Sequence, residues 1–200
     1  MPDSPPRYEF RIWGDDLSAL RRRIAASGTY QRSIESAEIY LLSRATDRCN
    51  AKIRDGLLDV KRLLGESCGL QQWMPILKAS FPLDATALAA CLSCLAIGMP
   101  APVRSVDTAD NFIREAIGAS RLLVAASISK RREIFTLDGC IAEFAAVTVA
   151  AIPDTVLHTV AIESDDAERL LALAAGLGIG DLPNRSYVQE LKRRLRVAPI

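Results

Sequence analysis

The sequence predicts an α+β fold in which an eight-stranded antiparallel β-barrel, or tunnel, has helices packed outside it. Several short segments alternate charged and apolar residues, as strands do, and Asp-Gly turns follow two of them, at 55–56 and 138–139. Helical patterns separate the groups of strands. Closing the sheet removes exposed edges, and helices over the apolar outer faces would leave the charged faces pointing inward.

The first strand shows the alternation most clearly. Residues 7–13 read Arg-Tyr-Glu-Phe-Arg-Ile-Trp, and successive side chains of an extended chain point to opposite faces. Arg7, Glu9 and Arg11 therefore share one face. The alternation recurs at 50–54, 58–61 and 128–132. Charges of both signs on one face of several strands indicate a mostly basic cavity that suits a polyanion, with a metal ion as a further candidate ligand.

Hydrophobic periodicity and turn residues place the remaining elements. Helices are predicted at 16–26, 84–97, 107–119, 165–177 and 186–196. Asp15, Asp84 and Asp107 are the expected caps of the first three, because a short acidic side chain can accept the free N–H groups of the first turn. Extended segments are predicted at 29–43, 70–77, 121–137, 140–151 and 155–163.

Size and composition limit the classes of function. The 200 residues fit one domain at 7–200 after a Pro-rich disordered leader at 1–6, which lacks the apolar core of a signal peptide. A net charge of +1, from 25 basic and 24 acidic residues, argues against nucleic-acid binding through bulk charge. No apolar run reaches the roughly 20 residues that span a bilayer. We therefore expect a cytoplasmic protein without a membrane or a specific nucleic acid as partner.

The cysteines, the histidine and the tryptophans are predicted to have structural roles. The chain has five cysteines, and Cys91-x-x-Cys94 lacks a second pair, which favours buried free thiols. His158 is the only histidine and is expected to point away from the cavity, so no catalytic triad can be argued. Trp13 and Trp73 are expected to pack or to lie at the tunnel rim.

A series of short motifs also occurs in a definite order. They are Arg7-Tyr8-Glu9-Phe10-Arg11, Glu38-Ile39-Tyr40, Lys52-Ile53-Arg54, Leu58-Asp59-Val60-Lys61, Lys130-Arg131-Arg132, Ile141-Ala142-Glu143, Ala161-Ile162-Glu163 and a last helix that begins at Ser186. In this order the motifs resemble the CYTH superfamily, also called triphosphate tunnel metalloenzymes, over nearly the whole chain. The resemblance implies an eight-stranded antiparallel tunnel that binds triphosphate groups with Mg²⁺ or Mn²⁺.

The resemblance also implies roles for individual residues. It assigns metal binding to Glu9, Glu143 and Glu163, and catalysis to Arg54 and Lys61. Phosphate binding falls to six basic residues: Arg11, Lys52, Arg54, Lys61, Lys130 and Arg132. Arginine suits bidentate phosphate contacts, and lysine suits point-charge contacts.

This chain departs from the family pattern at the acidic positions. The first glutamate of the family's Glu-x-Glu-x-Lys strand is Arg7, and that of its Glu-x-Glu strand is Ala161. Phosphate binding is therefore better kept than metal-dependent catalysis, since magnesium needs one or two carboxylates. For Glu9 and Glu163, metal ligation and an ion pair with an inward Arg or Lys remain equal alternatives.

Three functions stay open at this point. The first is a phosphohydrolase that acts on inorganic triphosphate, a nucleoside triphosphate or a phosphorylated organic compound. The second is a non-catalytic module that binds polyphosphate or a phosphorylated ligand. The third is a scaffold whose tunnel is closed by Arg–Glu pairs, with the apolar run 87–101 in a homodimer surface. Metal-dependent release of phosphate separates the first from the others.

Overall fold

Eight strands close into an antiparallel barrel in the computed structural model, which describes residues 5–98, 105–118 and 120–199. The described residues form ten strands in all: β1 (Arg7–Gly14), β2 (Thr29–Ser43), β3 (Cys49–Arg54), β4 (Leu57–Ser67), β5 (Leu70–Ser80), β6 (Leu83–Asp84), β7 (Ser105–Val106), β8 (Leu123–Leu137), β9 (Cys140–Val149) and β10 (Ile152–Ser164). Their order around the barrel is β1-β10-β9-β8-β2-β3-β4-β5, and β6 pairs with β7 separately. The predicted barrel is confirmed. Residues 1–4 of the expected leader lie outside the described residues.

Helices pack against the barrel from outside and at one end. They are α1 (Ser18–Ser27), α2 (Ala85–Cys94), α3 (Ala109–Phe112), which continues as a π-helical segment (Ile113–Ile117), α4 (Ala167–Gly176) and α5 (Tyr187–Arg194). Asp84 caps α2 as predicted, and its carboxylate accepts a hydrogen bond from the Ala87 N–H at 2.7 Å. Among the described residues, no helix is both long and apolar enough to cross a membrane.

Two predicted helix caps are wrong. No side chain caps α1: the carboxylate of Asp16, not Asp15, accepts a hydrogen bond from the nearby Ser18 N–H, at 2.8 Å. Before α3 the cap is Thr108 rather than Asp107, because Thr108 has the extended backbone (φ −137°, ψ 159°) that a cap requires. The helix predicted at 107–119 therefore begins later than expected, and its last residue lies outside the described part of the chain.

The two Asp-Gly turns form tight hairpins, as predicted. Asp55 and Gly56 have φ of +52° and +71°, and Asp138 and Gly139 have +49° and +73°. Two successive positive φ values are those of a type I′ turn, whose twist matches that of antiparallel strands. The turns fix the registers of β3 with β4 and of β8 with β9, and hence which residues point inward.

Apolar side chains bury two outer faces of the barrel beneath helices. One cluster joins α1 and α4 to β1 and β10 and includes Phe10, Ile24 and Leu170. The other joins α2 and α3 to β3 and β4 and includes Leu58 and Leu92. Each such side chain contributes roughly 1.5–3 kcal/mol when fully buried. The part of the predicted homodimer run that lies in α2 therefore already packs on the chain's own barrel. Residues 99–101 of that run lie outside the described residues, and the homodimer stays a prediction.

A third apolar cluster lies inside the barrel, which corrects the expectation of a uniformly charged interior. Tyr40, Leu42 and Val147 point inward at one end and pack against Tyr187 and Leu191 of α5. Near these strand ends the inward-facing positions carry apolar residues in place of charged ones. The interior is therefore divided between an apolar end closed by α5 and a polar chamber.

Candidate functional site

The polar half of the interior is a chamber of about 140 Å³. Seven strands and α5 contribute its lining: Glu9, Arg11, Tyr40, Asn50, Lys52, Arg54, Asp59, Lys61, Lys130, Arg132, Glu143, Glu163 and Tyr187. The nine residues that the sequence assigns to phosphate, metal or catalysis are all in this set. The structure brings them together, while their individual roles stay predictions.

Glu38 is the centre of the first charge cluster. Its carboxylate is fully buried and lies 2.9 Å from Lys130 Nζ, 3.3 Å from Lys52 Nζ and 3.5 Å from Arg54 Nη1. Burial alone would raise the pKa of Glu38, but the three cations together lower it well below its usual range. A permanent negative charge therefore occupies the position between three of the predicted phosphate ligands.

Lys130 is buried among aromatic rings as well as charges. Its Nζ donates a hydrogen bond to the Tyr40 hydroxyl at 2.8 Å and lies 3.6 Å from the centre of the Tyr187 ring. Burial lowers the pKa of Lys130 well below its usual range, and nearby Lys52 adds to this while Glu38 opposes it. The proton on this lysine is held mainly by Glu38.

A second cluster surrounds Arg11. Its Nε lies 2.9 Å from the Glu9 carboxylate and its Nη1 lies 3.2 Å from Glu143. Glu143 also lies 3.7 Å from Arg132 Nη1. Burial would raise the pKa of Glu143, but Arg11, Lys130 and Arg132 lower it overall. Glu143, predicted as a metal ligand, is thus engaged by two arginines.

Glu9 and Glu163 lie directly opposite each other on β1 and β10. Burial and the neighbouring Glu9 raise the pKa of Glu163, whereas Arg11 lowers the pKa of Glu9 against the effect of burial. Two carboxyl groups this close do not both ionise readily, so the proton favours Glu163. For Glu9, the ion pair with Arg11 that the sequence left as an alternative is present in the structure.

The same pair limits what metal the chamber could hold. Within the described residues, no group of three or more His, Cys, Asp or Glu side chains is arranged as a metal site. Magnesium is often held by one or two carboxylates together with waters and substrate phosphates. Glu9 and Glu163 do not make a metal site by themselves, and an ion between them would need further oxygens, such as those of waters and a phosphate ligand.

The chamber opens through a wider mouth of about 530 Å³. Its lining is Pro5, Arg7, Glu9, Arg32, Arg54, Asp59, Lys61, Trp73, Pro75, Leu77, Lys78 and Glu163. Glu9, Arg54, Asp59, Lys61 and Glu163 line both spaces. The predicted catalytic pair, Arg54 and Lys61, therefore lies at the junction of chamber and mouth. Trp73 lies at the rim as expected.

The opposite end is closed by α5. Ser186 and Gln189 form a capping box at its first turn. Trp13 packs edge-on against Tyr187, with 4.9 Å between ring centres, and its Nε1 donates a hydrogen bond to the Arg185 carbonyl at 3.0 Å. Trp13 is thus a packing residue, as expected, at the end of the barrel away from the mouth.

Asn184, just before α5, holds β1 in place. Its Oδ1 accepts a hydrogen bond from the Arg11 N–H at 2.8 Å, and its Nδ2 donates to the carbonyls of Glu9 at 3.0 Å and Gly69 at 2.8 Å. β1 pairs with β5 only from Arg7 to Glu9. Asn184 therefore supplies hydrogen bonds to the β1 backbone where β5 diverges from it, next to the inward side chains of Glu9 and Arg11.

Several buried polar atoms of the chamber have no hydrogen-bond partner among the described residues. They are Arg132 Nε, Asn50 Oδ1 and the Tyr187 hydroxyl. Buried polar groups in folded proteins are nearly always satisfied. Two of these three atoms are donors, so they complement an anionic ligand.

Residues expected to be outside the site are outside it. His158 Nδ1 lies 2.8 Å from the Asp15 carbonyl, and its ring stacks on Phe144, away from the chamber. All five cysteines are free thiols; Cys91 and Cys94 are buried, and Cys68 is exposed. The sequence analysis did not assign Tyr187 and Asn184 to the site. Tyr187 could have been assigned, because it follows Ser186 in the last helix of the motif series, but Asn184 follows no pattern.

Comparison with known proteins supports the fold. No protein-family model matches this chain. No curated protein is similar to it in sequence at a significant level. Among solved structures, a conserved hypothetical protein of Pyrococcus furiosus superposes with a TM-score of 0.52 at 16% identity, over 92% of this chain and 98% of that one.

Two further structures are similar at lower scores. A protein of Pyrococcus horikoshii has a TM-score of 0.49 at 13% identity, over 92% of this chain and 97% of that one. A Bacillus halodurans protein with a provisional name as an adenylate cyclase has a TM-score of 0.47 at 9% identity, over 92% and 97%. The closed eight-stranded barrel and the match to the Pyrococcus furiosus protein together bear out the predicted fold class.

Proposed function

We propose that this chain is a CYTH-like protein that binds the phosphate groups of a ligand inside the chamber. The ligand class is inorganic triphosphate, a nucleoside triphosphate or another phosphorylated compound. One observation carries the proposal: six basic side chains line the chamber, against four acidic ones and the adjoining Glu38, and one of those acids, Glu163, favours its neutral form. The surplus of positive charge in a space largely shielded from water attracts a polyanion.

The leading form of the proposal is a phosphohydrolase. Phosphoryl transfer depends mainly on positioning and electrostatic stabilisation, which fixed cations provide. Arg54 and Lys61 would stabilise the charge that develops on the transferred phosphoryl group, since both line the junction of chamber and mouth. Glu9 and Glu163 would hold Mg²⁺ or Mn²⁺ together with the ligand. A bound metal of this kind neutralises phosphate charge and helps to generate a nucleophile.

A specific observation favours the second candidate, a binding module without turnover. Glu9 and Glu143 already make ion pairs with Arg11, and Glu143 makes another with Arg132. Those carboxylates would have to leave their arginines before they could hold a metal. Phosphate oxygens, in contrast, can use the unpartnered donors of Arg132 and Tyr187 without breaking these pairs.

The deciding experiment measures phosphate release and melting temperature in the same mixtures, with tripolyphosphate or ATP, and with Mg²⁺, Mn²⁺ or EDTA. EDTA-sensitive release that is lost in Glu163→Ala supports the hydrolase. A raised melting temperature without release supports the binding module, since a ligand of the folded state stabilises it. If neither effect occurs, the proposal fails and the scaffold remains.

Two neighbouring arginines provide a matched control. Arg132 lines the chamber, whereas Arg131 on the same strand is exposed on the outer face. We expect Arg132→Gln to weaken tripolyphosphate binding by about tenfold to a hundredfold, the equivalent of one charge-assisted hydrogen bond. Arg131→Gln should leave it unchanged. Equal effects would mean that the anion binds on the outside of the barrel.

A further inference from the structure

The mouth of the tunnel carries basic side chains that no carboxylate neutralises. Arg7, Arg32 and Lys78 line it, and among the described residues none of them makes an ion pair within 4.0 Å. The carboxylates of the mouth belong also to the chamber. The mouth therefore adds three basic side chains to those of the chamber and no further acid.

Trp73 adds an unused hydrogen-bond donor to this part of the mouth. The side chain is buried, with 4% of its surface exposed, and its Nε1 has no hydrogen-bond partner among the described residues. An indole N–H can only donate. Trp73 lies directly opposite Arg7 in the pairing of β1 with β5, so the donor and the cation share one rung of the sheet.

The position of Arg7 is informative in its own right. In the family that the sequence resembles, this strand position carries the first of two glutamates. An arginine there changes the preferred ligand of the position from a cation to an anion. Arg7 and Arg11 are four residues apart on β1, about 13 Å along the strand, so an anion at Arg7 is separate from one at the inner cluster.

We propose that the mouth is a second anion subsite, in which Arg7, Arg32, Lys78 and the indole N–H of Trp73 bind successive phosphate groups of one chain outside the chamber. The inference rests on the proposed function, because it names the ligand class of the same tunnel. That class is a linear phosphate chain long enough to reach from the chamber into the mouth. Arg54 and Lys61 line both spaces and make the row of cations continuous.

The test compares chain lengths by titration calorimetry in EDTA, which prevents metal-dependent turnover. The probes are pyrophosphate, tripolyphosphate, ATP and a long linear polyphosphate. We expect the affinity of the unaltered protein to rise at least tenfold from pyrophosphate to the long chain. Arg7→Gln and Trp73→Phe should both remove most of that gain and leave pyrophosphate binding unchanged. Arg131→Gln is the control and should retain the gain.

The outcomes separate this inference from the proposed function. If no phosphate compound binds, the proposed function fails and the subsite with it. If all chain lengths bind equally, or if the gain persists in both variants, the chamber binds phosphate and the subsite is wrong. A gain for ATP over tripolyphosphate, without one for the long chain, also overturns the inference and places an organic group in the mouth.

Fluorescence offers a measurement that does not alter the subsite. The chain has two tryptophans, and Trp13 lies at the closed end. In Trp13→Phe the emission comes from Trp73 alone. We expect the long polyphosphate to change that emission and pyrophosphate to leave it unchanged. Binding of the long chain without any change in emission would show that the chain does not reach Trp73.

Discussion

Replacing Glu38 by glutamine would remove the charge that holds three buried cations together. The side chain has nearly the same shape, so the change isolates electrostatics. Lys130, Lys52 and Arg54 lie 2.9, 3.3 and 3.5 Å from the carboxylate that would be lost. Removing one partner of a buried ion pair costs about 3–5 kcal/mol, because the other charge is left without compensation.

The lower end of that range applies here. Burial already lowers the pKa of Lys130, so this lysine can release its proton once Glu38 is neutral. We therefore expect a loss of about 3 kcal/mol. For a chain of this size each kcal/mol shifts the melting temperature by about 2–4 °C, which gives a decrease of about 6–12 °C at neutral pH.

The pH dependence provides a second signature. The pKa of Glu38 is lower in the folded protein than in the unfolded chain, so its stabilising effect is complete above the unfolded value. That effect is lost as the pH falls from about 5 toward the lowered folded pKa. The acid side of the stability profile should therefore be shallower in Glu38→Gln than in the unaltered protein.

The assay is thermal unfolding by circular dichroism between pH 3 and pH 8. Glu35→Gln is the matched control, since Glu35 lies on the same strand but is exposed. Tripolyphosphate should raise the melting temperature more in Glu38→Gln than in the unaltered protein, because it supplies the missing negative charge. Equal melting temperatures for the two variants would show that the cluster of three cations around Glu38 does not stabilise the fold, and an unchanged acid profile would refute its electrostatic cause.

Three further predictions concern the frame around the chamber. Asn184→Ala should lower the melting temperature and weaken tripolyphosphate binding, since it removes three hydrogen bonds that hold β1 beside Arg11. Asn184→Asp should recover part of the lost stability and binding. If Asn184→Ala binds tripolyphosphate as well as the unaltered protein does, Asn184 contributes to stability alone. His158→Ala should leave phosphate binding unchanged, because the ring faces away from the chamber, and a tenfold loss would contradict that placement. Of the five thiols, only Cys68 is exposed, so a thiol reagent should titrate one group rapidly in the folded protein, and none in Cys68→Ser.

Alternation in the sequence was enough to predict that the nine assigned charged side chains share the chamber. Parity places Glu9 with Arg11, and Lys130 with Arg132, whatever the barrel's tilt, because successive residues of a strand face opposite sides. Register across strands does not follow from parity. The sequence therefore predicted which charged residues share the interior, but not which of them form ion pairs. The contacts of Glu38 with three cations were missed, although its motif was noted.

The closed end of the barrel was harder to foresee. Leu42 and Val147 follow the same alternation as the charged positions. They form a packed core only because α5 packs against them at this end of the barrel. Asn184 lies in a segment without periodicity, and its role comes from the divergence of β1 and β5. Such features depend on contacts between residues more than a hundred positions apart, which local patterns do not encode.

The divided interior separates what keeps the barrel folded from what selects its ligand. Arg7, Arg32 and Lys78 are exposed, whereas the apolar end and the two outer clusters are buried. Exchanging exposed residues usually changes stability by less than about 0.5 kcal/mol. Ligand preference could therefore drift among descendants of this chain, one rim residue at a time, with the scaffold intact. The same property makes the rim a suitable place to engineer a receptor for other anions.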